Sequence, residues 1–251
     1  QILFVRGLLT TSILLIFGFY AGIFKLKLSG GDKWRICFRS IAEALTAYFF
    51  LTAVMNMPFA NVTAILQTLP MTVTLAAAIV FREKVGIFRI ILIIAGFFGV
   101  ILIINPSADG FNLYSGYALI SVALITLRDM LTRKLTADVP VLLPTFFASL
   151  GVLLFSTMLM TNTPIEPLSL TNSLYIFGAA FFIIFGYYTA VLVMRIGEIS
   201  FIAPFRYSAI LFALLIGFIF FKEQPDVYAF IGIAIIMFSG IFITLRNNKK
   251  T

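Results

Sequence analysis

Along this chain hydrophobic residues do not alternate with polar ones. They run on continuously for about twenty residues at a time, the length of helix that crosses a hydrocarbon core of roughly 30 Å. Nine such runs are predicted, at about 2–24, 36–56, 59–81, 86–105, 113–132, 141–161, 173–194, 199–221 and 226–245. Their continuity favours transmembrane helices over the alternating strands of a membrane barrel. The connections between them are short, so no separate soluble domain is expected.

Two stretches resemble each other. Residues 60–104 pass through Leu75-Ala-Ala-Ala-Ile-Val-Phe-Arg-Glu83, and residues 200–245 through Leu215-Ile-Gly-Phe-Ile-Phe-Phe-Lys-Glu223. Glu83 and Glu223 stand 140 apart, as do Phe81 and Phe221; Gly99 matches Gly240 after a one-residue insertion, and Tyr188 falls on Tyr48. Five spans separate the two corners, and an odd number places them on opposite sides of the membrane. An inverted repeat is the architecture of alternating-access carriers. The offset leaves span 113–132 without a counterpart, which would lie before residue 1. The expected fold is therefore an all-α integral membrane bundle of two inverted five-helix repeats, with nine of ten transmembrane helices in this chain; the alternative is a native nine-span protein. Residues 1–105 would form the first repeat, lacking its first helix, and 113–246 the second.

Composition supports a lipid environment. Of 251 residues, 61% are hydrophobic and 11% charged, where soluble domains carry about 25% charged residues. The net charge of +8 could suggest nucleic acid, but its placement does not. Fourteen of the 18 Lys and Arg fall at alternate span ends: Lys25, Lys27, Lys33 and Arg35; Arg82, Lys84 and Arg89; Arg128, Arg133 and Lys134; Arg195; Arg246, Lys249 and Lys250. Lys222 alone lies at the opposite ends. This positive-inside pattern puts those loops and the C-terminus in the cytoplasm. With no His and a single Cys, Cys37, the chain has no internal disulfide, no His-built haem or zinc site and no Cys/His catalytic pair. No metal or cofactor is expected.

Ionised groups inside spans cost about 2.5–3.5 kcal/mol each on insertion scales and commonly face a bundle interior or a wet pathway. Arg39 and Glu43 share a helix face at i, i+4 spacing, close enough to pair; the readings are a self-neutralising pair and a polar wall of a substrate site, and the two are compatible. Arg206 follows Pro204 in Ser200-Phe-Ile-Ala-Pro-Phe-Arg-Tyr207, where the proline should loosen the helix beside a cation. In the first repeat Gln67 occupies the position of Tyr207, followed by Thr68 and Pro70. The candidate pathway residues are Arg206, Tyr207, Gln67, Arg39, Glu43, Tyr48, Tyr188 and Arg6, with helix breaks at Pro204 and Pro70. Tyr48 and Tyr188 could equally be ordinary core aromatics, and Arg6 an interfacial cation. Arg128 and Asp129 sit near a span end and read as a gate or an anchor. Ala76, Ala77, Ala78, Gly96, Gly99, Gly217, Gly232 and Gly240 are expected to let helices approach closely.

These residues resemble the drug/metabolite transporter superfamily, specifically its EamA-type carriers. The resemblance rests on Ala60-Asn-Val-Thr-Ala64, Leu69-Pro70, Phe81-Arg-Glu-Lys84 and Gly96-Phe-Phe-Gly-Val-Ile-Leu-Ile103. In the second copy it rests on Ala203-Pro-Phe-Arg-Tyr207, Phe221-Lys-Glu-Gln-Pro-Asp226 and Ser239-Gly240. It implies ten helices in two inverted repeats with cytoplasmic termini. The Ala-Pro-Phe-Arg-Tyr segment is similar to the branch that contains bacterial S-adenosylmethionine carriers. In the family the absent first helix contributes to the cavity.

The expected function is secondary transport of a small polar organic metabolite across a bacterial inner membrane by alternating access, the substrate being carboxylate-bearing to match the arginines, such as an amino acid or S-adenosylmethionine. No nucleotide-binding loop or catalytic cluster is present in the sequence, which argues against ATP drive and against an enzyme. The alternative is a non-transporting structural or accessory membrane protein. The expected partners are a small-molecule substrate, the bilayer, a proton as candidate coupling ion with Glu43 as its carrier, and a second copy as candidate homodimer partner; nucleic acid is not expected.

Overall fold

The computed structural model describes residues 1–81, 86–104, 113–161, 167–196, 208–222 and 227–245. Within them the regular elements are helices: α1 (Ile2–Tyr20), α2 (Gly30–Asn56), α3 (Phe59–Leu66), α4 (Leu69–Phe81), α5 (Ile87–Ile104), α6 (Leu113–Arg133), α7 (Leu142–Met160), α8 (Leu170–Ile196), α9 (Ser208–Phe221) and α10 (Val227–Leu245). Among the described residues five segments are long and apolar enough to cross a membrane: Ile2–Tyr20, Gly30–Asn56, Asn61–Val80, Leu142–Met160 and Leu170–Val193.

Helix ends follow from local chemistry. The second helix begins at Gly30, ahead of the apolar run, because Ser29 caps it. The Asp32 N–H donates to Ser29 Oγ at 3.1 Å, and the Ser29 hydroxyl donates to Asp32 Oδ2 at 2.7 Å. After α1 the chain turns through Gly22 at φ 65°, a left-handed conformation that suits glycine. The predicted span 59–81 is interrupted: α3 ends at Leu66, and α4 starts at Leu69. Pro70 has no N–H for the Leu66 carbonyl, so the α-helical ladder cannot pass through unbroken. The Gln67 N–H instead donates to Thr63 O and Ala64 O, and the Thr68 hydroxyl donates to Ile65 O.

Hydroxyls inside the helices are largely satisfied by their own backbone. Thr10 donates to Arg6 O, Ser40 to Ile36 O, Ser121 to Tyr117 O, Thr126 to Val122 O and Thr145 to Val141 O. Such bonds let Ser and Thr enter an apolar helix without an unpaired donor.

The chain forms two compact units, Gln1–Tyr48 with Leu127–Ile196, and Phe49–Thr126 with Gly197–Thr251. Helices α2 and α6 contribute residues to both. In the first unit α1 packs on α7 and α8, and α7 on α8. Its cores are Ile23, Ile36, Leu135, Val139 and Leu143, and separately Ala44, Ala47 and Val152. In the second unit α5 packs along α10, and α3 against α9 and α5. Ala53, Val62, Ile65, Met71, Val100, Val122 and Ile236 form its core.

Helix boundaries recur at the 140-residue offset. Residues 2–20 of α1 correspond to 142–160 of α7, and 30–56 of α2 to 170–196 of α8. Corresponding helices also pack on each other, α1 on α7 and α5 on α10. Gly7 lies against Leu153, and Thr11 shares a 2.9 Å hydrogen bond with Ser149. Moving forward along α1 therefore moves backward along α7, so this corresponding pair runs antiparallel. Because such pairs pack together, each compact unit draws helices from both halves of the chain.

Small residues set the close approaches. A Cβ on Gly99 of α5 would stand 2.8 Å from the Gly232 carbonyl oxygen of α10, and one on Gly96 would overlap the Met71 thioether. By contrast, Gly178 of α8 has nothing within 4 Å. Gly99→Val should therefore lower stability by about 1–3 kcal/mol through overpacking against backbone, whereas Gly178→Val should leave it nearly unchanged. Thermal unfolding of the two variants in the same detergent measures the contrast.

Candidate functional site

The first unit carries a buried group of ions built from α2 and α6. Arg39 and Glu43 come from α2, Arg128 and Asp129 from α6, and none of the four side chains is more than 13% exposed. Arg128 Nη1 donates to both Glu43 oxygens, each at 3.0 Å. Its Nε and Nη2 both reach Asp129 Oδ1 at 3.1 Å. Arg39 Nε donates to Thr132 Oγ1 at 2.9 Å, and Nη1 to the Pro144 carbonyl of α7 at 2.8 Å. The Thr132 hydroxyl proton points to the Arg128 carbonyl, which leaves its lone pairs for Arg39.

Two guanidinium groups and two carboxylates sum to no net charge. That balance is what permits ions in a site with little water. Each ion loses hydration worth several kcal/mol on burial, and only close opposite charges with added hydrogen bonds offset it.

The i, i+4 pair expected between Arg39 and Glu43 is a loose contact, 4.0 Å from Nη2 to Oε2. Glu43 takes its hydrogen bonds from Arg128, 85 positions further along the chain. Arg128 does not extend to a water interface as a simple anchor would. Its guanidinium turns inward, where two carboxylates give it charge-assisted bonds. The available sequence signal is the i, i+4 spacing of Arg128 and Thr132, which puts a cation and a hydroxyl on one face.

The other candidates are distributed differently. Tyr48 is half-buried and meets Phe155 edge-on, with centroids 6.0 Å apart. Tyr188 is 41% exposed. Arg6 is half-buried in α1. Gln67 is buried at the break between α3 and α4, in the second unit, and Pro70 is the second residue of α4. Pro204, Arg206 and Tyr207 lie outside the described residues, as do the corner residues Glu83 and Glu223.

Below the ions, Asp32 ties the start of α2 to the turn after α6. Its Oδ1 accepts from Arg35 at 2.9 Å and from the Thr136 N–H at 3.3 Å, and Oδ2 accepts from the Thr136 hydroxyl at 2.8 Å. Arg195 of α8 donates to the carbonyls of Thr136, Ala137 and Val139 in the same turn. Thus α6 is held to α2 at two levels.

Residues 1–105 and 113–246 match the model of the EamA-like transporter family. The chain belongs to that family. It is a multi-pass helical membrane protein, as the family and its apolar helices require. A riboflavin transporter of Vibrio cholerae is 28% identical over 189 residues, spanning 75% of this chain and 63% of that protein. The match thus covers less than two thirds of the Vibrio protein's length. An S-adenosylmethionine uptake transporter of Rickettsia prowazekii is 22% identical over 256 residues, spanning 100% of this chain and 84% of that one. A protein of known crystal structure shares the fold with a TM-score of 0.70 at 15% identity, across 99% of this chain and 88% of that chain.

In this EamA-family chain the ion group should respond to substitution as a coupled unit. Glu43→Gln or Arg128→Met alone should destabilise by about 3–5 kcal/mol, because each leaves a buried charge uncompensated. The double variant should lose less than the sum of the two. A double-mutant cycle of thermal unfolding in detergent measures the coupling; strict additivity would show that the two side chains do not interact.

Proposed function

We propose that the protein is a secondary transporter that moves a small polar organic metabolite bearing a carboxylate across a bacterial inner membrane by alternating access. The observation that carries this reading is the two-oxygen hold of Arg128 on Glu43 in a charge-balanced, buried group. A substrate carboxylate offers Arg128 the same pair of acceptor oxygens. Exchanging one carboxylate for another keeps the site's hydrogen bonds, so the step avoids exposing a bare buried cation. The antiparallel packing of the corresponding helices α1 and α7 supports a carrier built from inverted repeats.

Family relatives support a small-metabolite substrate. One is named a riboflavin transporter and another an S-adenosylmethionine uptake transporter. Of the two compounds, S-adenosylmethionine carries a carboxylate. It fits an arginine-carboxylate exchange, whereas riboflavin offers hydroxyls and a flat ring. Gln67, Tyr48, Tyr188, Arg6, Arg206 and Tyr207 are the further pathway residues in this reading, with Pro70 and Pro204 interrupting their helices. Glu43 is the candidate proton carrier, released when substrate takes its place on Arg128.

Uptake by the chain reconstituted in vesicles tests the proposal. S-adenosylmethionine should be taken up and exchanged, and its carboxylate methyl ester should compete about tenfold or more weakly, the loss of one charge-assisted contact. Arg206→Ala should abolish uptake with normal membrane insertion. Equal competition by acid and ester overturns the carboxylate reading, and variants that fail to insert point instead to a structural role. If transport is proton-coupled, Glu43→Gln should abolish pH-driven uptake and spare exchange.

A further inference from the structure

Beside its ions, the first unit carries an apolar groove of about 580 Å³ along the seam of α2 with α7. Its floor is tight: a Cβ on Gly151 would stand 2.9 Å from the Ser40 carbonyl oxygen, so the two helix backbones nearly touch. Ser40 offers no free hydroxyl there, since its proton goes to the Ile36 carbonyl. Ile41 and Leu45 of α2 face Leu150, Leu154 and Met158 of α7 across the floor. Lys33 stands at one end of this lining, and Cys37 lies one turn further in.

Dimensions decide what fits. Lys33 to Leu45 is twelve residues, about 18 Å of helix, against about 15 Å for one leaflet of a 30 Å core. The groove is about as long as the hydrocarbon of one leaflet and is lined by apolar side chains, which suits an extended hydrocarbon chain.

Charge decides the headgroup. The groove is apolar along its length and cationic at a single end. Lys33 is exposed there, and the described residues give it no ion pair. Lys25 and Lys27, also exposed, precede the lining residue Leu28. Trp34 beside Lys33 is 65% exposed and stacks on Phe38, an aromatic placement suited to the headgroup level. An amphiphile with one long apolar tail region and an anionic head matches this distribution.

We infer that the α2–α7 groove is a binding site for an anionic phospholipid, its acyl chain lying between the helices and its phosphate at Lys33.

The full chain in mild detergent, offered phosphatidylglycerol or phosphatidylcholine at equal concentration, tests this by native mass spectrometry. Phosphatidylglycerol should be retained preferentially, and Lys33→Gln should reduce its retention about fivefold, as expected for one lysine near an anionic surface. Ala44→Phe, which places a ring in the groove, should reduce retention of either lipid. Maleimide modification of Cys37, the chain's sole cysteine, should be slowed by phosphatidylglycerol more than by phosphatidylcholine. Equal retention of the two lipids, or no effect of Lys33→Gln, overturns the proposal. So does efficient Cys37–Cys37 cross-linking in vesicles, which would show that a second copy covers the groove.

Discussion

In a hydrocarbon solvent a polar group has no water to fall back on, and the first unit is organised around that constraint. Arg39, Glu43, Arg128 and Asp129 can be buried only together. Remove the α6 pair and α2 carries a carboxylate whose hydrogen-bond donor is gone; remove Glu43 and Arg128 keeps a single carboxylate. The contact thereby fixes the rotation of both helices. It also fixes which other faces of α2 meet lipid or α7, whose Pro144 carbonyl already takes a bond from Arg39. The groove between α2 and α7 is set by the same rotation.

The same constraint acts on smaller scales. Hydroxyls return to carbonyls of their own helix, so threonine and serine serve as modest-sized packing residues. Where helices come closest, glycine replaces them, as at Gly7, Gly99 and Gly151. Corresponding helices then meet each other in the pairs α1–α7 and α5–α10. A chain built this way has compact units that cut across its repeats, because association follows the pairing and not the order of segments.

Much of this was legible in the residues. Continuous apolar runs gave the helices, and charge and the two matching corners gave the repeat offset at which helix ends recur. What was not legible has physical reasons. The run beginning at 36 hides a helix that starts at Gly30, because a cap is made of polar residues that hydrophobicity ignores. The span 59–81 reads as one helix although Pro70 divides it, since sequence shows a proline but not which bond the backbone abandons. Arg39 and Glu43 are obvious partners by spacing, yet Arg128 outcompetes Arg39 from a distant part of the chain. Only tertiary packing brings α6 there. Arg128 looked like an anchor because a long cation near a span end can reach water; the pull of two buried carboxylates was invisible in one dimension.

The two seams of α2 and α7 with their neighbours differ in kind. Between α2 and α6 the joint is directional: guanidinium forks and a doubly bonded Asp32 tolerate little displacement before their geometry fails. Between α1 and α7 the joint is mostly contact, Gly7 against Leu153, with the Thr11–Ser149 bond across it. Contact surfaces of this sort slide at small cost, whereas forked bonds snap. Mechanically, the α2–α6 joint resembles a riveted bracket and the α1–α7 joint a plate laid against it, so the first resists displacement more than the second.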